Sequence, residues 1–122
     1  MDVNHMKPLT KCEAQVMEII LSTGEHYCMQ EILEIINTKY KKDWKAQTVS
    51  TFLARLVKKS YLTMKREGRT FFYYPTITLV QFQQQLLATC VYEGFSGQWD
   101  CAMNAMKECI KQQKDSADEV ET

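Results

Sequence analysis

Five apolar residues, Val49, Phe52, Leu53, Leu56 and Val57, recur at i, i+3, i+4, i+7 and i+8. That spacing lines one side of an α-helix and predicts a helix over about 45–59 with a buried stripe. The opposite side carries Gln47, Thr48, Ser50, Thr51, Ala54, Arg55 and Lys58, small hydrogen-bonding groups first and cations later. Leu62-Thr63-Met64-Lys65-Arg66 follows, then a turn at Glu67-Gly68-Arg69 and the aromatic run Thr70-Phe71-Phe72-Tyr73-Tyr74. Aromatic residues favour strands and Gly suits a tight turn, so this stretch reads as a β-hairpin. Leu62 and Met64 are expected to face inward, and Thr63, Lys65 and Arg66 outward. Phe71 and Tyr73 would share one face, Phe72 and Tyr74 the other, with Pro75 ending the pairing. A helix with short polar groups outward, followed by a basic hairpin, is what a winged helix needs in order to read DNA.

The segments before this unit read as two more helices. Residues 1–8 look like a loose arm. Thr10 and Glu13 have capping-box spacing and open a helix to about residue 22, with Val16, Met17, Ile20 and Leu21 apolar. Gly24 is placed to end it in the left-handed conformation. A second helix is expected over 29–39, with Ile32, Leu33, Ile35, Ile36 and Tyr40 inward. Cys28 stands where a capping Ser or Thr would be best, so that N-terminus is weakly specified. Trp44 ends a polar link and is expected to plug the base of the next helix. Ser60 sits where Gly would be easiest, because the chain must turn sharply into the hairpin.

After Pro75, Thr78 and Gln81 form a second capping box, opening a helix to about residue 93. Gly94-Phe95-Ser96-Gly97 breaks it, and a last helix over 98–113 carries Trp99, Ala102, Met103, Met106 and Ile110 on one side. A three-helix winged domain is already closed by Pro75, so these stripes need another surface. A second copy of the chain is a simpler partner than a fold-back, and two-fold symmetry suits a palindromic DNA site. The expected dimer interface is Phe82, Leu86, Leu87, Val91, Phe95, Trp99, Ala102, Met103, Met106 and Ile110. The acidic end lacks apolar residues and is expected to be disordered. The fold class is therefore mainly α with a small β-hairpin: a winged helix-turn-helix domain (1–76), a C-terminal helical dimerisation region (77–114) and an acidic tail (115–122).

Charge adds to this reading through its distribution. The net charge is zero, yet residues 39–69 hold ten of the fifteen Lys and Arg against two acids, while each flank is net acidic. A basic patch beside a small polar face suits a phosphate backbone. The longest apolar runs, such as Ile19-Ile20-Leu21, are far too short for a bilayer, and no signal peptide is evident, so a cytoplasmic chain without membrane partner is expected. Five cysteines lie scattered without a C-x-x-C or C-x-C pair, and Cys101 and Cys109 are the pair that could share a helix face. No metal or other cofactor is expected. His5 and His26 are the only histidines, and no Ser-His-Asp, zinc or phosphate-loop pattern appears, so an enzyme is not expected.

Taken together, these motifs resemble the penicillinase-repressor family, the BlaI/MecI/CopY transcriptional regulators. The resemblance runs from about Leu9 to Met106. It rests on Trp44, on Thr48-Val49-Ser50-Thr51 with Leu53 and Arg55-Leu56-Val57-Lys58-Lys59, and on Leu62. Lys65, Glu67-Gly68-Arg69, Phe71, Tyr73 and Pro75 continue it, and Leu9-Thr10, Glu13 and Val16-Met17 match the opening helix. The resemblance implies a homodimeric repressor on a double-stranded operator with dyad symmetry. Lys45, Ala46, Gln47, Thr48, Ser50 and Thr51 would then face the major groove. Arg55, Lys58, Lys65, Arg66 and Arg69 would face the backbone, with Thr10 of the first helix also among the DNA-binding residues. Gln47 can pair bidentately with adenine, while phosphate contacts position the helix. The family's release by a regulatory protease or by copper is not matched in detail. The C-terminal C-x-C pairs are missing, and no Asn-Phe pair lies near Met106-Lys107. Ser60 replaces the family Gly, and Lys45-Ala46 replaces Ser-Pro. The alternative is a winged-helix protein-interaction module that binds no operator.

Overall fold

The structure, a computed structural model, describes residues 6–22 and 26–121, with side chains as far as residue 116. Its elements are α1 (Lys11–Ser22), β1 (Tyr27–Cys28), α2 (Met29–Lys39), α3 (Ala46–Lys58), β2 (Leu62–Glu67), β3 (Thr70–Pro75), α4 (Leu79–Gly94) and α5 (Trp99–Glu121). The chain divides into two compact units between Leu86 and Leu87, so α4 runs from one into the other.

In the first unit, Val16, Met17 and Ile20 of α1, Ile32 and Ile36 of α2, and Val49, Leu53 and Leu56 of α3 are fully buried. Burying each such side chain contributes about 1.5–3 kcal/mol, which is why three short helices hold together. Their ends are set locally. The Glu13 N–H donates to the Thr10 hydroxyl while the Thr10 N–H donates to Glu13 Oε1, and Thr78 and Gln81 repeat the exchange at α4. At α2 the Cys28 N–H donates to Glu31 Oε1, which is the half of a capping box that the third helical residue supplies. At the end of α3 the Ser60 N–H reaches the Val57 carbonyl and the Tyr61 N–H the Leu56 carbonyl. This is a Schellman closure with Ser60 at φ +69°, in the left-handed position Gly fills without strain.

The sheet is antiparallel in the order β1-β3-β2. Leu62 pairs with Pro75 at its base and Glu67 with Thr70 at its tip. Gly68, with φ +67°, gives the two-residue turn the positive φ that mirror-image hairpin turns require. Strand β1, two residues long, pairs Tyr27 with Tyr73 and Cys28 with Phe72 and was not foreseen. Leu62 is buried and Tyr73 packs on the core, but Met64 and Phe71 are exposed. The inward placement expected for Met64 fails because the three helices cover only the base of the hairpin.

Two boundaries also differ from expectation. Ile77 and Phe82 belong to the core of the first unit, and Gln85 is buried there with its Nε2 on the Met6 carbonyl, so the winged unit ends at Leu86 and not near residue 76. The tail expected to lack structure from 115 continues α5 as helix to Glu121. Gly24 and most of the N-terminal arm lie outside the described residues. The part of the arm that is described is held: Met6 is buried, and the Lys7 and Pro8 carbonyls accept from the Tyr61 hydroxyl (2.6 Å) and Lys59 Nζ (3.1 Å). In the second unit, Val91 and Ala102 are the buried residues among those described. Leu87, Trp99, Met103, Met106 and Ile110 are 40–50% exposed. Among the described residues no helix is long and apolar enough to cross a membrane.

Candidate nucleic-acid interface

Helix α3 is positioned by its two ends. At its entry, the Trp44 N–H donates to Asn37 Oδ1 (2.9 Å) and Asn37 Nδ2 donates to the Trp44 carbonyl (3.0 Å), fixing the α2–α3 link. The Trp44 ring lies against Phe52 at 5.2 Å between centroids and packs on the core, as a plug at the helix base. At its exit, Lys59 Nζ sits 2.6 Å from Glu13 Oε1, which is buried. The helix is thereby pinned to α1 and α2 with its polar side outward.

Along that side Lys45, Ala46, Gln47, Ser50, Thr51, Arg55 and Lys58 are exposed, and Thr48 is half-buried. Gln47, Ser50, Thr51, Arg55 and Lys58 line one concave surface together with Met29 and Ala54. Ser50 also borders a second concavity with Gln30 and the wing residues Arg69 and Thr70. The structure therefore brings α3, the start of α2 and the wing tip to one surface. Met29 and Gln30 were missed as contributors, and no periodic signal marks the first turn of α2. Ala54 was legible, since it follows Gln47 by seven residues and Thr51 by three.

The cations behave in two ways. Among the described residues, Arg55, Lys58, Lys65, Arg66 and Arg69 form no ion pair, which leaves their charge for an external anion. Arg66 is nevertheless ordered, with Nε on the Gly68 carbonyl at 2.9 Å and its guanidinium 5.9 Å from the Phe71 ring centre. Lys65 Nζ lies 5.0 Å from the Tyr74 ring centre, and the Tyr74 hydroxyl donates to Glu67. His26 stacks on the same Tyr74 ring at 4.7 Å. Lys59, by contrast, is turned inward, and Lys39 is tied to Glu18 at 2.9 Å. Thr10 is exposed at the start of α1, where its hydroxyl is engaged by capping.

Of the residues expected at a dimer interface, Leu86, Leu87, Trp99, Met103, Met106 and Ile110 are exposed and Phe95 is half-buried. Phe82 is spent on the core of the winged unit, while Val91 and Ala102 are already covered within one chain. The five cysteines are free thiols. Among the described residues no three His, Cys, Asp or Glu side chains converge as a metal site.

Three helices closed by a wing, with a polar helix face between exposed cations, define a winged-helix domain of the DNA-binding type. The sequence profile of the penicillinase repressor family matches residues 9–122, and the chain belongs to that family. It is 33% identical over 69 residues to the penicillinase repressor of Bacillus licheniformis, covering 57% of this chain and 52% of that protein. It is also 33% identical over 73 residues to an uncharacterised 16.5 kDa protein of Latilactobacillus sakei, covering 60% and 48%. The match spans about half the length of each of these relatives. Among solved structures, it is similar to monomeric Bacillus licheniformis BlaI in complex with the blaP half-operator. That similarity has 28% identity and a TM-score of 0.51, covering 62% of this chain and 89% of the other.

Proposed function

We propose that the chain is a DNA-binding transcriptional repressor that works in the cytoplasm as a homodimer on a palindromic operator. The observation that carries this reading is the outward side of α3, where Gln47, Ser50 and Thr51 are exposed beside Arg55 and Lys58, which form no ion pair among the described residues. Gln47 and the hydroxyl and methyl groups beside it would read base edges in the major groove. Arg55, Lys58, Lys65, Arg66 and Arg69 would hold phosphates and fix the register. The BlaI half-operator complex supports the DNA partner, because its fold is shared and its identity to this chain is 28%.

A dimer is supported by the exposed row Trp99, Met103, Met106 and Ile110 on α5. Burying such a row against a second copy removes apolar surface from water and places two reading helices in symmetric half-sites. Release from the operator is assigned to a signal that the chain does not identify, of which a regulatory protease is one form. The test is binding to a selected duplex at several salt concentrations. A repressor of this type loses affinity steeply as salt rises and keeps its selected site in the presence of competitor DNA. Binding that ignores sequence at every salt concentration overturns the operator reading.

A further inference from the structure

Gln47, Thr51, Ala54 and Lys58 follow one another at i, i+4, i+7 and i+11, a single row down the exposed side of α3. Within that row the Thr51 hydroxyl donates to the Gln47 carbonyl at 2.9 Å. A Thr hydroxyl has one hydrogen, so this bond commits the donor to the helix backbone. It also selects the rotamer, because a β-branched side chain in a helix has few to choose from. What Thr51 offers outward is then a methyl group held in a fixed direction, beside an oxygen that can only accept. Its neighbour in the row, Ala54, has only a methyl to offer. Ser50 differs: among the described residues its hydroxyl has no partner, and it remains available to donate or accept.

Resting on the operator reading above, we infer that Thr51 is a specificity-determining residue that reads the 5-methyl group of thymine, with its hydroxyl serving only to aim the methyl. The thymine methyl is the apolar group that base pairs present in the major groove, so it is the match for an apolar step between the Gln47 amide and the Lys58 ammonium. Four residues of helix span about 6 Å, so the thymine lies within about two base-pair steps of the base addressed by Gln47.

The test starts from a pool of random-sequence duplexes, from which the wild-type chain selects a preferred site. Each thymine of that site is then replaced singly by uracil, which removes the methyl and nothing else. At one thymine per half-site the replacement weakens wild-type binding about fourfold, the worth of one methyl group buried. Thr51→Val, which keeps the methyl and drops the hydroxyl, retains that difference. Thr51→Ser, which keeps the hydroxyl and drops the methyl, binds the thymine and uracil duplexes alike. Loss of the difference in Thr51→Val, its persistence in Thr51→Ser, or a wild type indifferent to every uracil overturns the inference. Failure of the wild type to enrich any sequence removes the operator reading itself, and is distinguished because it arises before any variant is made.

Discussion

Lys59 Nζ and Glu13 Oε1 lie 2.6 Å apart across 46 residues of sequence, tying the end of α3 to the first turn of α1. The Glu13 side chain is 1% exposed and that of Lys59 22%. Burial opposes ionisation of Glu13, but the bonds from Lys59 and the Thr10 cap, with the Lys59 charge, outweigh it and hold the carboxyl below its ordinary 4.5. The same burial, with the Glu13 charge beside it, pushes the Tyr61 hydroxyl up to about 12.

A depressed folded-state pKa means that the unfolded chain takes up protons first as pH falls. The stability contributed by Glu13 is therefore full above 4.5 and is lost as pH drops through the lower folded value. Glu13→Gln is expected to cost about 2–4 kcal/mol at pH 7, because it removes the negative charge opposite Lys59 in a largely buried place. It should also flatten stability against pH in the acid range. Urea unfolding at a series of pH values on either side of 4.5 checks this. Parallel profiles for the two proteins would contradict it.

Ser60 holds a left-handed conformation that costs an L-residue about 1–2 kcal/mol and Gly almost nothing. Part of that gain is offset because Gly is freer in the unfolded chain. Ser60→Gly is expected to raise stability by up to about 1 kcal/mol, read as a higher thermal midpoint with DNA affinity unchanged. A lower midpoint would mean that the Ser60 side chain does more than occupy the turn.

Asn37 satisfies both main-chain groups of Trp44 at once, and no other common side chain of that size offers a donor and an acceptor in one plane. Asn37→Leu should cost about 1–3 kcal/mol, since it leaves both Trp44 groups unpaired in a half-buried place. It should also weaken DNA binding by loosening the entry to α3. Equal stability of variant and wild type in a denaturant titration would show that water replaces the amide without loss.

These elements differ in how far the chain announced them. The α3 stripe, the two capping boxes, the hairpin turn and the Trp44 plug were legible because each is a local rule: a period, a three-residue spacing, a Gly at a turn. The inward Lys59 was not, since nothing local distinguishes it from Lys58, and only α1 folding back supplies Glu13. Strand β1 was hidden for the same reason, as two residues become a strand only beside β3. The end of the winged unit was misplaced because Phe82 has the period of an interface helix while being used by the core behind it. At the candidate interface, the α3 row and the wing cations could be read from spacing and charge. The contribution of Met29 and Gln30 depends on the angle between α2 and α3, which spacing does not encode.

Arg69 at the wing tip and Gln47 on α3 should separate the two kinds of contact. Arg69→Ala is expected to weaken binding to all sequences and to lower the salt slope by about 1. Gln47→Ala should instead relax preference at one position per half-site, worth about 1–3 kcal/mol. Competition titrations over a range of salt measure both. A sequence-independent loss for Gln47→Ala would remove it from the groove.

For the proposed dimer, Met103→Lys should shift sedimentation towards the single chain, because it places an ammonium in the middle of the exposed apolar row of α5. A chain ending at Leu86 should fold and remain single, whereas one ending near Ile77 should unfold, having lost Phe82 from its core. A dimer that survives both Met103→Lys and the cut at Leu86 would move the interface elsewhere.

The arm before α1 is gripped by its peptide carbonyls at Lys7 and Pro8, while the gripping groups are the side chains of Tyr61 and Lys59. Heredity can therefore rewrite those two arm positions freely, since any amino acid brings the same oxygen. Their holders have no such licence, and wear in this corner of the protein should fall on one side of the clasp alone.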